Sequence, residues 1–312
     1  MRSHRVTPFV AAAALLATTI GAVDADEPMV IDATPEPRVW TSELPEPEVP
    51  PERDRLHTST QTRATFEQRY PDQAEARRGH GPGGNGWALL IGINEHLGGV
   101  SNNHASRQDA ERFREMLLDA GWADERILLM SDTDATGDMI REGLSWLARK
   151  AGHDATVLIN YSGHSKKWYA GGGAILDIGL WPTDDDFIRR DELGHALDVI
   201  PHARLWGNFA TCNAEAFHEA DLGVEGRVLT YSSRSPEKSY EDPAAGNSVW
   251  GSFLLDAGLW EADGTGDRLG SVQDAFEVAA PRATERTMGQ RYGPQTPVIH
   301  DDLGEPFTLD VE

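Results

Sequence analysis

The chain of 312 residues holds one cysteine, Cys212. An intramolecular disulfide is therefore excluded, and a lone thiol is open to oxidation unless it is buried or put to chemical use. Cations are scarce as well: 28 Lys and Arg stand against 51 Asp and Glu, a formal net charge of −23. With no basic patch to offset it, that charge repels a phosphate backbone and excludes a nucleic-acid binder. What remains for the acidity is solubility and an attraction for cationic peptides. His-Glu-x-x-His spacing is missing among the 11 histidines, which disfavours a zinc hydrolase. Past residue 23 no apolar run is long enough to span a bilayer, and no internal repeat is visible.

What is present begins with "MRSHRVTPFVAAAALLATTIGAVDADEP". Arg2 and Arg5 precede an apolar stretch from Pro8 to Val23 that ends in small residues at Val23-Asp24-Ala25. This layout predicts a secretory signal peptide over residues 1–25 and an exported protein, periplasmic or secreted, with no membrane span in its mature form. Residues 26–84 are rich in Pro, Glu and Arg without a sustained apolar period, which predicts a disordered linker or pro-segment. A single folded domain is expected over residues 85–312, large enough to bury a full core.

Within it, "WALLIGI" (Trp87 to Ile93) is continuously apolar, as in a strand buried on both faces. Ala110, Phe113, Leu117 and Ala120 then recur at helical spacing, with Gly121 as a stop. Strand "RILLM", a helix carrying Ile140, Leu144 and Leu147, and strand "TVLINYS" follow. Further on come a helix near Asp191 to Val199, strand "ARLWGNFATC", strand "RVLTYSS" and a helix over Ser248 to Leu255. Strands alternating with helices predict an α/β fold whose mainly parallel sheet is flanked by helices. Ligands bind such sheets beyond the carboxyl ends of the strands.

At that edge the sequence puts His164, just past "TVLINYS", and Cys212, which closes "ARLWGNFATC". A thiol becomes a nucleophile when an imidazole takes its proton, and its attack on an amide creates an oxyanion that needs donors. Cys212 is thus the candidate nucleophile and His164 the general acid/base. The backbone amides of Gly163 and Cys212 are the candidate oxyanion hole. A buried structural cysteine and a solvated loop histidine are the alternatives when each residue is taken alone.

"YSGH" at the end of one apolar strand, and a Cys closing another 48 residues on, resemble the caspase-like cysteine peptidases, including bacterial caspase-like proteins and metacaspases (peptidase family C14, clan CD). The likeness runs from Trp87 to about Leu259 through "ALLIGIN", "RQDAERFREMLLDAGW", "ILLMSDTDATGDMIREGLSWL", "LWPTDDDFIRRDELGHALD" and "VLTYSSRSPEKSYEDPAAGNSVWGSFLLDAGL". It implies a caspase-like three-layer sandwich and an endopeptidase of peptides or proteins that requires no cofactor, while leaving room for calcium activation. It also implies a substrate pocket that includes Asp109 and Ser162, with Ser232 and Glu241 from the later loop and Glu237 as a further acid there; solvated loop acids are the alternative for the two glutamates, and an acid favoured by the helix macrodipole is the alternative for Asp109. Two departures stand out. "FATCNAEAF" lacks the family's acid before the cysteine and the Ser-Gly or Gly after it, Ala210 standing at the acid's place, and Ser165 follows His164 where glycine is common. One remaining acid still suits a basic P1 side chain, since a buried cation needs a counter-charge.

Two acidic clusters, Thr183 to Asp186 and Asp263 to Asp267, offer oxygens to calcium without EF-hand spacing. Gly171 to Gly173 reads as a lid or a plain connection, and Arg77-Arg78 as a self-cleavage site in an open linker. Three functions fit: the exported peptidase, a catalytically silent module binding a partner peptide in the same groove, and another Cys/His acyl-transfer hydrolase.

Overall fold

The apolar run that opens the domain forms β2 (Gly86–Gly92), buried along its whole length. The computed structural model describes residues 58–79, 84–169, 175–220, 222–242, 244–259 and 270–310, together with a two-residue strand, β1 (Met29–Val30). Side chains of β2 alternate despite the unbroken hydrophobicity. Trp87, Leu89 and Ile91 enter one core, while Ala88 and Leu90 enter the other, because successive strand residues point to opposite faces.

Beside β2 lie β3 (Ile127–Ser131) and β4 (Thr156–Ser162), then β8 (Arg204–Ala210), β9 (Arg227–Tyr231) and β12 (Val298–Asp301). The sheet order is β12-β9-β8-β4-β2-β3. Every neighbouring pair is parallel except β12 with β9. One face is covered by α3 (Ser106–Asp119), a helical turn α6 (Val249–Gly251) and α7 (Val272–Thr287). α4 (Gly137–Lys150) and α5 (Arg190–Val199) cover the other. This is the expected three-layer α/β architecture with a mainly parallel sheet, and no described helix is long and apolar enough to cross a membrane.

Register fixes what the sheet delivers at its carboxyl edge. Gly92 pairs with Ser162, and Ser162 pairs with Ala210, so the ends of β2, β4 and β8 are level. A buried amide chain pins this register mid-strand. Asn208 donates to Asn160 Oδ1 at 2.8 Å, and its own Oδ1 accepts from Thr230 and Trp250 at 2.8 and 2.9 Å. Gly92 is required at its position, since a Cβ there would lie 2.4 Å from Ser106 O in the first turn of α3.

Several elements differ from the sequence reading. Within the expected linker, α1 (Thr60–Arg69) and α2 (Pro71–Glu75) are folded and dock through Phe66, which is buried in the α4-side core. Arg77 and Arg78 are not in open chain: Arg77 O accepts from Arg126, and Arg78 donates to Arg149 O. The stretch after His164 forms a separate antiparallel sheet of β5 (Ser165–Tyr169), β6 (Ile175–Leu180) and β7 (Ile188–Arg189). A third sheet joins β1, β10 (Tyr240–Asp242) and β11 (Asn247–Ser248). The helix expected over Ser248 to Leu255 is α6 followed by a π-helical Ser252–Gly258. The signal peptide at 1–25, Gly171 to Gly173 and Asp263 to Asp267 lie outside the described residues.

Candidate active site

His164 and Cys212 each stand two residues beyond the level ends of β4 and β8, on adjacent parallel strands. His164 is 1% exposed, and its Nε2 lies 2.8 Å from Ser101 O. A carbonyl only accepts, so Nε2 carries the proton and Nδ1 is the basic nitrogen. Tyr161 Oη donates to His164 O at 2.6 Å and accepts from Trp181 N at 3.0 Å, clamping the turn that presents the imidazole. The His96 ring lies 5.0 Å from that of His164. Burial, reinforced by His164, pushes its pKa down to about 4, so it stays neutral.

Cys212 is fully buried, at 0% exposure. Both hydrogen bonds of the thiol go to Ser239: Sγ accepts from Ser239 N at 3.1 Å and donates to Ser239 O at 3.7 Å. Burial pushes the thiol pKa up to about 12, against the opposing effects of the Ser239 amide and Lys167. In this closed state Cys212 is a protonated thiol. Its turn is held from β5, where Ser165 Oγ donates to Cys212 O and Lys167 Nζ donates to Asn213 Oδ1, each at 2.7 Å. Asn213 adopts a left-handed φ of 57°, which Asn tolerates better than most residues.

The expected oxyanion hole differs in one donor. The Gly163 amide donates to Ala210 O at 3.2 Å, continuing the β4–β8 ladder by one residue. The Cys212 amide, the other candidate, donates no hydrogen bond among the described residues.

Asp109 and Ser162 do meet: Ser162 Oγ donates to Asp109 Oδ2 at 2.7 Å, while Asp109 Oδ1 accepts from Ser248 N at 2.9 Å and Asn247 Nδ2 at 3.1 Å. Glu241 is not a loop acid in solvent. It is 1% exposed, and its carboxylate accepts from His104 N and Ala105 N at 2.7 to 3.0 Å, at the N-terminal end of α3. Burial raises the pKa of Asp109, and it raises that of Glu241 to about 7. Neither carboxylate pairs with a cation among the described residues.

Ser232, expected in the substrate pocket, hydrogen-bonds within the nucleophile turn. It is 1% exposed, its Oγ accepts from Thr211 N at 3.0 Å and lies 2.6 Å from Ser239 Oγ. Glu237 holds the same loop by accepting from Thr296 N at 2.7 Å. Each carboxylate of the "TDDD" cluster is engaged by a protein donor: Asp184 by Gly137 N, Asp185 by Trp181 Nε1 and Asp186 by Arg141. Among the described residues no group of three or more His, Cys, Asp or Glu is placed to hold a metal. Sequence reasoning missed Ser101, Tyr161, Lys167 and Ser239. Their roles depend on contacts between loops, for which a single sequence carries no periodic signal.

The caspase domain family profile, Peptidase_C14, matches residues 85–244. The chain is 28% identical over 171 residues to metacaspase-4 of Arabidopsis thaliana, covering 52% of this chain and 40% of that one. It is 32% identical over 124 residues to metacaspase-7 of the same plant, covering 36% and 30%. The chain therefore spans less than half the length of these relatives. Among solved structures, a protein from Geobacter sulfurreducens superposes with a TM-score of 0.54 at 18% identity, covering 73% of this chain and 97% of that one. Caspase-1 from Spodoptera frugiperda superposes with a TM-score of 0.52 at 13% identity, covering 75% and 94%. Those two likenesses speak for the fold.

Proposed function

Because the chain belongs to the caspase domain family, Peptidase_C14, we propose that it is a cysteine endopeptidase that uses Cys212 and His164 and cleaves after basic P1 residues. The observation that carries the reading is the level pairing of Ser162 with Ala210, which brings the imidazole and the thiol to one sheet edge. His164 Nδ1 takes the thiol proton, and the sulfur attacks the scissile carbonyl carbon. The Cys212 amide faces the oxyanion, and His164 returns the proton to the leaving amine. Water then hydrolyses the thioester by the same route.

Asp109 and Glu241 receive the P1 cation. Two buried carboxylates with no cation between them form a site that a guanidinium or ammonium would complete. The closed geometry around Cys212 is a resting state in this reading, and substrate must displace the thiol from Ser239 before attack. A silent peptide-binding module is the second reading, favoured by the buried thiol itself. Export through residues 1–25 is a further proposal, checked by N-terminal sequencing of protein recovered outside the cytoplasm.

The test is turnover of a P1-varied fluorogenic peptide panel, with and without calcium, beside Cys212→Ala. Cleavage after Arg or Lys that vanishes in Cys212→Ala supports the proposal. Best cleavage after Asp or an uncharged residue would overturn the basic preference, and no cleavage by the parent under any condition would favour the silent module.

A further inference from the structure

Two side chains of β5 grip two consecutive residues of the nucleophile turn. Along β5 buried positions alternate with partly exposed ones, so Ser165 and Lys167 share the inner face while Lys166 and Trp168 lie on the other. Ser165 bonds the carbonyl of Cys212, and Lys167, 7% exposed, bonds the side chain of Asn213. These contacts fall where the chain departs from its family's sequence pattern, at the residue after the histidine and just after the cysteine. The nucleophile turn is fastened from a neighbouring strand, and one fastener is a buried ammonium.

We infer that Lys167 is a positioning residue for the nucleophile, holding Asn213 and placing a positive charge beside Cys212 so that the thiolate forms more readily. The inference rests on Cys212 being the nucleophile. In the step concerned, the S–H bond breaks, the proton moves to His164 Nδ1, and the electron pair stays on sulfur beside the ammonium. Opposing Lys167 is Glu241 on β10, whose negative charge disfavours the thiolate, and Tyr240 on the same strand also interacts electrostatically with Cys212 while its phenol donates to Gly293 O at 2.6 Å. His164, on the turn after β4, is a further titratable group at this sheet edge.

The test uses the rate of iodoacetamide alkylation as a function of pH, read by intact mass, with the full chain. Cys212 is the one cysteine, so the added mass identifies its site. Below its midpoint the rate tracks the thiolate fraction. Lys167→Met is expected to lower the rate at a given pH about tenfold, equivalent to one pH unit of displacement, and Lys167→Arg to restore it. Denatured samples of all variants should react alike. A merely structural role predicts the opposite sign, because loosening the turn exposes the thiol and speeds alkylation.

Should Lys167→Met fail to fold, Asn213→Asp keeps the lysine and neutralises its charge with a carboxylate of the same shape, and it should also slow the reaction. An unchanged or faster rate in the folded variants would overturn the inference. The peptidase reading fails separately, by absence of peptide turnover in the parent, because alkylation needs no peptide substrate.

Discussion

The tips of β4 and β8 and the acid wall beside them are built in different ways. The tips belong to adjacent parallel strands whose register runs unbroken from Thr156 with Arg204 to Ser162 with Ala210, so whatever follows each strand must converge. The wall is assembled from remote parts. Glu241 reaches backbone amides 136 and 137 residues away in sequence, and Asp109 is bonded by Ser162, Asn247 and Ser248. Sheet pairing makes the first region a consequence of strand order, whereas the second depends on where two loops come to rest. In the proposed reading, chemistry sits on the part that cannot shift, and selectivity on the part that can vary.

That contrast predicts effects of different kind and size. Cys212→Ala should abolish turnover, a loss of at least about 10⁴-fold by analogy with removal of other nucleophiles, for every P1 residue in a peptide panel. Asp109→Asn should cost about 10²-fold in kcat/KM for peptides with P1 Arg or Lys, the scale expected when a buried charge loses its partner. Alkylation of Cys212 should be unchanged in that variant. A loss as large as that of Cys212→Ala, or one that ignores P1, would show that the two regions form a single machine.

A third prediction concerns pH. Burial raises Glu241 from its ordinary 4.5 to about 7. The folded protein thus holds this proton more tightly than the unfolded chain, and stability falls as pH rises from 4.5 through about 7. Binding of a cationic P1 side chain should strengthen over the upper part of that window, as the carboxylate gains its charge. Thermal unfolding and kcat/KM should therefore run in opposite directions with pH, and Glu241→Gln should flatten both. The smallest effect belongs to Ser165→Ala, which removes one hydrogen bond from the nucleophile turn. We expect about 1 kcal/mol from denaturant unfolding and a several-fold fall in kcat with P1 preference intact.

Much of the frame was legible because its strands are buried on both faces and read as unbroken apolar runs ending at His164 and Cys212. The N-terminal helices were not. α1 buries one residue, Phe66, and a single aromatic makes no period. Its boundary signals were nonetheless present: Ser59 caps α1 and Pro71 opens α2. In β5, "SKKWY" hides its inner face behind two lysines, only one of which is buried. Asp109 and Ser162 were named through family resemblance, and the two side chains share a 2.7 Å hydrogen bond. Glu241 looked like a solvated acid because nothing in "KSYEDP" announces that the start of α3 will cover it. The bonds of Ser232 were hidden for the converse reason: a serine after a strand reads as available, whereas this hydroxyl bonds the backbone of Thr211.

The amide chain through Asn160, Asn208, Thr230 and Trp250 acts on the site from a distance. Asn208 lies four residues before Cys212 and Asn160 four before His164, roughly 13 Å along an extended strand. A slip of one residue between these strands would turn every side chain to the wrong face and strand a buried amide without its partner. The chain thus proofreads its own assembly in the middle of the sheet, and only the alignment that passes puts thiol and imidazole at the same height.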